Sequence, residues 1–285
     1  YHLTWAGVAF DHNSETLKNL LYANSDSYMQ YYTSAPYSLD SWRFDCGGWL
    51  YGRTDGDYIK LTEVLGEIKE NLQKINPDIF LVSEWSDKEA MLTNTWDSQW
   101  NISLMDTLRS YSQGLADEAT LAESLDATLT SYPRAIALGI YNCVVNHDQP
   151  RLDDDNVPAH IEKAGILTLM TYIGSPSIYY GEEINLDREK EEGFGSEASF
   201  YAMEWDESNW DYERYNLYRA LGELRSEYSA VKTGAVRELG LDNAQNIYSF
   251  GRWDDNGAVI TVASQNKSVV SVDVNARLLS IKDGA

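Results

Sequence analysis

The chain has 285 residues, enough for one large domain and a small one. Apolar residues make up 43% of the chain, which argues against disorder. The formal net charge of −23 argues against a nucleic-acid or anionic-lipid partner, because either would need a basic patch. The binding of a neutral, hydroxyl-rich partner would be unaffected by that charge. The negative charge is explained equally well as a well-solvated acidic surface with no role in binding.

Helices and short apolar strands alternate in the first part of the chain. A helix begins after the Asn13-Ser14 cap, and a later helix with apolar residues at helical spacing ends at Asn76-Pro77. In chain order the predicted elements are helix 14–32, strand 41–45, helix 57–75, strand 79–83, helix 88–95 and a weak strand over 101–105.

The alternation continues to about residue 228. The most apolar segment, 164–180, is interrupted by Gly174, Ser175 and Pro176, so it predicts a helix followed by a strand rather than a membrane span. The predicted elements are helices 119–129 and 133–139, strand 141–146, helix 160–172, strand 176–180 and helix 209–228.

Strands separated by helices predict parallel pairing, and their nearly continuous apolar character predicts a sheet covered on both faces. From about residue 229 the pattern changes to short β runs at 247–253, 258–264 and 269–274. We therefore expect an α/β domain over 1–228 and a small antiparallel β domain over 229–285 that is not necessarily complete.

Three acidic residues stand where predicted buried strands meet their loops. They are Asp45, Glu84 and Asp148. A β/α barrel builds its active site at the carboxyl ends of its strands, so repeated carboxylates at these positions favour a carboxylate-based enzyme. Helix capping or loop solvation would explain any one of them alone.

The residues around these carboxylates form ordered motifs. They are Trp42-Arg-Phe-Asp-Cys46, Leu81-Val-Ser-Glu-Trp85, Val145-Asn-His-Asp-Gln-Pro-Arg151 and Gly174-Ser-Pro-Ser-Ile-Tyr-Tyr-Gly-Glu-Glu-Ile184, followed by Met203-Glu-Trp205 and by 218–225. Together they resemble the α-amylase family of glycoside hydrolases, glycoside hydrolase family 13. The resemblance covers about residues 1–228, and the β tail is similar to the family's C-terminal domain in position.

The resemblance implies a retaining mechanism that uses two carboxyl groups. Asp45 would attack the anomeric carbon and form a glycosyl-enzyme, and Glu84 would protonate the leaving oxygen and then deprotonate the incoming water or sugar. Arg43 stands two residues before Asp45, so both side chains point to the same side of a strand. A fixed cation there would keep Asp45 ionised.

The resemblance also implies contacts to the substrate. Asp148 and His147 would hydrogen-bond the hydroxyls of the sugar beside the scissile bond, with Arg151 supporting them. Trp85 and Trp49 could stack on sugar rings, although ordinary packing explains them equally well.

The sequence also departs from the family. Only five parallel strands are predicted, where a closed barrel needs eight, and the family's first motif, which supplies a calcium ligand, does not precede Asp45. We therefore expect part of a (β/α)8 TIM barrel, about its fourth to eighth strands, completed by the same longer polypeptide or by a second chain. No cofactor is predicted with certainty, and structural calcium stays in doubt.

The sequence favours a retaining α-glycoside hydrolase acting on α-glucans such as starch, maltodextrin or related oligosaccharides. A transglycosylase of the same family is one alternative. A non-catalytic carbohydrate-binding or assembly member of the same fold is another, and a fragment without independent function is a third. Cys46-Gly47-Gly48 replaces a Lys-His pair common near the nucleophile, so the specificity could differ from plain starch hydrolysis.

Some residues carry a plainer interpretation. Cys46 and Cys143 are expected to be buried free thiols. The acidic run 153–155 suggests a solvated loop rather than a cation site, because no spaced ligand set accompanies it. Residues 1–5 do not form a signal-peptide pattern, and the compartment, secreted or cytoplasmic, stays open.

Overall fold

The computed structural model describes residues 11–47, 55–84, 88–93, 95–152, 157–186 and 201–279, with backbone alone at 55–61 and 89. It also describes the backbone of two short antiparallel strands, β1 (Leu3–Thr4) and β2 (Gly7–Val8). The chain divides into two compact units, Tyr1–Trp100 and Asn101–Ala285.

In the first unit, the helix predicted over 14–32 is interrupted. Helix α1 (Glu15–Lys18) is capped by the Ser14 hydroxyl and runs into a π-helical turn, Asn19–Ala23, before α2 (Tyr28–Thr33) begins. The side-chain amide of Gln30 donates to the carbonyl of Tyr22 at 2.8 Å and to that of Ala23 at 3.2 Å. The polar groups freed at the break are thus satisfied from the next helix.

The first unit contains a three-stranded parallel sheet in the order β3-β4-β5. Its strands are β3 (Ser41–Phe44), β4 (Phe80–Ser83) and β5 (Ser98–Gln99). Helix α3 (Asp55–Gln73) connects the first two strands and α4 (Lys88–Met91) lies between the last two, as parallel neighbours require. The predicted strands at 41–45 and 79–83 are confirmed.

The apolar face of α3 forms the core of this unit. Val64, Leu65, Ile68 and Leu72 are buried, as their helical spacing predicts. The buried Lys69 ammonium pairs with Asp97 at 2.8 Å, and the other Asp97 oxygen accepts the main-chain N–H of Leu81 at 2.8 Å. This pair joins the crossover helix to the middle strand of the sheet.

The second unit is mainly helical. The segment 101–105, predicted as a weak strand, is instead the start of a helix whose buried side chains, Leu104 and Leu108 among them, follow helical spacing; the preceding two-residue strand β5 was missed. The helices are α5 (Ile102–Ser112), α6 (Glu118–Ser131), α7 (Arg134–Gly139), α8 (Ala159–Thr171), α9 (Tyr212–Glu227) and α10 (Ser229–Thr233).

Two short strands of this unit pair in parallel. They are β6 (Tyr141–Asn142) and β7 (Ser175–Pro176), shorter than the strands predicted at 141–146 and 176–180. Short 3-10 turns follow at Glu182–Ile184 and Glu207–Asn209. The loops that leave β6 and β7 therefore start side by side.

The chain ends in an antiparallel sheet of order β10-β9-β8. Its strands are β8 (Ala235–Asp242), β9 (Ile247–Asp254) and β10 (Gly257–Ser264). The prediction was right for the two later strands, missed β8, and was wrong for 269–274, which has no regular structure. Val269 is fully exposed, so its apolar character did not signal burial.

The sheet is joined to the helices of the second unit by a buried arginine. Arg252 donates to the carbonyls of Thr171 and Gly234, both at 3.1 Å, and of Ala235 at 3.3 Å. Tyr248, Phe250 and Ala263 of the sheet belong to the same apolar cluster as residues of α5, α6 and α8. The division into domains at 228/229 stays a prediction.

These elements make the fold α/β with a C-terminal antiparallel sheet, as predicted. Among the described helices, none is both long and apolar enough to cross a lipid bilayer.

Candidate active site

Asp45 and Glu84 directly follow the carboxyl ends of two adjacent strands, β3 and β4. Phe44 and Ser83 are the last register partners of β3 and β4. The main-chain N–H of Glu84 donates to the carbonyl of Phe44 at 3.0 Å, so pairing extends one residue further. The sheet register therefore places the two carboxyl groups side by side at one edge.

The guanidinium of Arg43 bridges the two carboxyl groups. Its Nη1 lies 2.6 Å from Oδ1 of Asp45 and its Nη2 lies 3.1 Å from Oε2 of Glu84. The guanidinium carbon stands 4.5 Å from the ring centroid of Trp100, directly after β5. A planar cation with a rigid fork of donors suits this double contact, and stacking on the indole restrains it further.

The turn after Asp45 contributes a main-chain donor. The N–H of Cys46 donates to Oε2 of Glu84 at 2.6 Å, and Cys46 adopts a left-handed φ of 46°. At the next residue, Gly47, a Cβ would stand 2.5 Å from Oγ of the buried Ser83 and 3.1 Å from the Trp96 ring. Glycine at this position lets the turn lie directly against β4.

The two carboxyl groups are close but differently exposed. One oxygen of Asp45, one of Glu84 and the Cys46 sulfur all lie within 4.8 Å of one another. The Asp45 side chain is 76% exposed and the Glu84 side chain only 15%. The two neighbouring carboxyl groups therefore stand in unequal surroundings, one open to solvent and the other sheltered.

The same three groups have a spacing that a metal ion could use. The cluster does not fit calcium, which takes six to eight oxygen ligands, because one of its three members is a thiol and the Arg43 cation already contacts both carboxylates. No other such cluster occurs among the residues that the structure describes.

Both cysteines are free thiols, as predicted. Cys143 is buried, and burial raises the pKa of its thiol to about 12. Cys46 was expected to be buried as well but is only partly so. Its pKa is raised by burial first and then by the charges of Glu84 and Asp45. Both thiols therefore stay protonated near neutral pH and are poor nucleophiles.

Asp148 and His147 lie in the loop that leaves β6 in the second unit. The main-chain N–H of Asp148 donates to Oδ1 of Asn146 at 2.8 Å, which closes a tight turn. Nε2 of His147 lies 3.5 Å from Oδ2 of Asp148, and both side chains are partly exposed. The loop thus presents an imidazole and a carboxylate together.

Arg151 lies beneath this loop. Its buried guanidinium donates to the carbonyl of Tyr180 at 2.7 Å and contacts Glu182 at 3.4 Å, with its central carbon 4.6 Å from the ring centroid of Tyr179. Burial raises the pKa of Glu182, while Arg214 and Arg151 act against that rise. Arg151 therefore joins the loops after β6 and β7, which suits the supporting role expected of it.

Comparison with known proteins identifies the family. The model of the α-amylase catalytic domain matches residues 9–218 of the chain. The chain belongs to the α-amylase family.

Curated relatives of this α-amylase-family chain carry names of α-glucan hydrolases. A Bacillus sp. cyclomaltodextrinase is 27% identical over 209 residues, which cover 71% of this chain and 36% of the relative. Neopullulanase 2 of Thermoactinomyces vulgaris is 28% identical over 239 residues, which cover 81% of this chain and 36% of the relative. The chain thus spans about a third of the length of these relatives.

A solved structure shows the same fold. The debranching enzyme of Nostoc punctiforme, soaked with acarbose, superposes with a TM-score of 0.70 at 24% identity, covering 86% of this chain and 52% of that one. At this identity the likeness concerns the fold alone.

The predicted site residues of this α-amylase-family chain fall into three groups. Arg43, Asp45 and Glu84 lie together in the first unit, and His147, Asp148 and Arg151 lie together in the second. Trp49 and Trp85 lie outside the described residues, as does the acidic run 153–155.

Sequence reasoning missed two contributors to the first group. Trp100 follows strand β5, which the sequence did not predict, so nothing in the sequence indicated that its ring lies beside Arg43. The main-chain N–H of Cys46 carries no residue-type signal at all, because its direction depends on the backbone angle.

Proposed function

We propose that this chain carries the nucleophile and the acid/base of a retaining α-glycoside hydrolase acting on α-glucans such as starch, maltodextrin or related oligosaccharides. The observation that carries the proposal is the short separation of the Asp45 and Glu84 carboxyl groups, with oxygens within 4.8 Å. Retaining enzymes hold these groups about 5 to 5.5 Å apart, and inverting enzymes about 6.5 to 9.5 Å apart to admit a water.

In the first step Asp45 acts as the nucleophile. One of its carboxylate oxygens forms a bond to the anomeric carbon while the glycosidic bond breaks and its electron pair goes to the leaving oxygen. That oxygen takes the proton of Glu84. Arg43 contacts both carboxyl groups, so it orients the attacking oxygen and stabilises charge on either side of the reaction.

In the second step Glu84, now a carboxylate, takes a proton from water. The water oxygen bonds to the anomeric carbon and the ester to Asp45 breaks, which restores the Asp45 carboxylate. A sugar hydroxyl in place of water would give transglycosylation by the same proton transfer. The sheltered position of Glu84 suits a group that must hold and return a proton.

The names of the relatives support an α-glucan as the substrate. Cyclomaltodextrinase, neopullulanase and maltogenic α-amylase are the names of three of them. A neutral carbohydrate is also compatible with the net charge of −23.

We further propose that Asp148 and His147 bind the hydroxyls of the sugar at the scissile bond, supported from below by Arg151. Trp85 and Trp49 are proposed to stack on neighbouring sugar rings. Strands β3 to β7 would serve as about the fourth to eighth strands of a (β/α)8 barrel over 1–228, with 229–285 as the C-terminal domain. The remaining strands would come from the same polypeptide or from another chain.

Two isosteric substitutions test the proposal in the intact protein. Asp45→Asn and Glu84→Gln should each lower kcat for maltoheptaose hydrolysis by about 10²-fold to 10⁴-fold, since each removes a group that takes part in bond making or proton transfer. Asp126→Asn and Glu123→Gln, on exposed positions of α6, are matched controls that should stay at wild-type rates. Undiminished hydrolysis in both site variants would rule the assignment out.

A further inference from the structure

The two oxygens of Glu84 are not equivalent. Oε2 accepts the main-chain N–H of Cys46 at 2.6 Å and forms an ion pair with Nη2 of Arg43 at 3.1 Å. Among the described residues, no main-chain N–H or guanidinium donates to Oε1, while the Cys46 thiol interacts with the Glu84 carboxyl group. An oxygen that accepts a hydrogen bond and also pairs with a cation is stabilised as the negatively polarised oxygen of the carboxyl group.

The Cys46 donor depends on an unusual backbone conformation. Its φ of 46° lies in the left-handed region, which a residue with a side chain adopts only where the surroundings hold it. Gly47 follows with no room for a Cβ against Ser83 and Trp96, so the turn lies in direct contact with β4, where a larger residue would displace it. The main chain after Asp45 is therefore held with its N–H directed at Glu84.

We propose that Cys46 is a positioning residue for the acid/base, whose left-handed backbone aims its N–H at Oε2 of Glu84 and so leaves Oε1 to carry the transferred proton. The inference rests on the proposed function of Glu84. During glycosylation the Oε1–H bond breaks, a bond from that proton to the leaving oxygen forms, and the glycosidic electron pair goes to that oxygen.

Variants that differ in their tolerance of the left-handed conformation test this role in the intact protein. Glycine adopts positive φ freely, alanine less readily, and β-branched valine least of all. With maltoheptaose as substrate, Cys46→Gly should keep kcat within about threefold of wild type. The kcat of Cys46→Ala should be lower than that of Cys46→Gly, and Cys46→Val should lose about 10-fold to 100-fold in kcat. KM should change little in all three variants. All three variants lack the thiol, so the series isolates the backbone.

A substrate that needs no acid separates positioning from general damage. α-Maltosyl fluoride releases fluoride without a proton from Glu84, so its first turnover, followed as fluoride release, should stay near the wild-type rate in all three variants. Thermal unfolding of each variant checks its folding. If Cys46→Val does not fold, the comparison of Cys46→Gly with Cys46→Ala decides the question.

Three results would overturn the inference. Equal maltoheptaose rates in all variants would show that the backbone of residue 46 is irrelevant, and equal losses would point to the thiol. A parallel loss of fluoride release would indicate a structural role only. The Glu84→Gln variant distinguishes failure of this inference from failure of the proposed function. Undiminished maltoheptaose hydrolysis in that variant would show that Glu84 is not the acid.

Discussion

Arg43 is the residue on which the candidate site depends most. Its fork of donors contacts Asp45 at 2.6 Å and Glu84 at 3.1 Å, and its flat face lies over Trp100. Sequence spacing was sufficient to place Arg43 on the same side of the strand as Asp45. It could not show the contact with Glu84, because that contact depends on the register between two strands.

Arg43→Lys should therefore impair the site although it keeps the charge. A lysine ammonium is a compact point charge that cannot reproduce the planar fork or its stacking on Trp100. We expect kcat for maltoheptaose to fall by about 10²-fold, the size of effect that a misplacement of about 1 Å produces. Arg237→Lys, on the exposed strand β8, is the matched control. Wild-type kcat in Arg43→Lys would show that one charge contact is enough.

The parallel pairing of β3 and β4 is the element that brings the two carboxyl groups together. The sequence predicted both strands, since each is a short apolar run next to a helix with a clear apolar face. Weaker elements were harder to predict. Five residues at 101–105 cannot distinguish a strand from the start of a helix. Strand β8 has consecutive exposed residues, Arg237 and Glu238, before its bulge and an exposed apolar residue, Leu241, after it, so it lacks a strong alternating pattern.

Two glycine substitutions test the close contact between the turn and β4. In Gly47→Ala the added Cβ meets Oγ of Ser83 at 2.5 Å, so we expect the free energy of unfolding to fall by about 1–3 kcal/mol. Gly66→Ala, in α3 with no atom within 4 Å of the added Cβ, should instead raise it by about 0.5–1 kcal/mol. Urea unfolding measures both changes.

Adding Ser83→Ala to Gly47→Ala provides the control for the clash. Removing Oγ should recover part of the lost stability, although Trp96 still stands 3.1 Å from the new Cβ. Unchanged stability in Gly47→Ala alone would mean that the turn can move, and the fixed direction of the Cys46 N–H would then lose its explanation.

At the scale of the whole molecule, the family match covers residues 9–218, which include all three predicted carboxylates. The sequence identified the family from ordered motifs, since residue type and order are enough for that. It could not supply the joint geometry of Asp148 with the Asp45–Glu84 pair, because those residues belong to separate compact units. The central claim is that Asp45 and Glu84 carry out a retaining reaction.

The stereochemistry of the first product tests that claim most directly. Proton NMR of the intact protein acting on maltoheptaose distinguishes the anomers before mutarotation mixes them. Double displacement through Asp45 and Glu84 predicts that the α-anomer forms first. Initial release of the β-anomer would contradict the account, because it would require a single displacement by water across carboxyl groups that stand too close together to admit it.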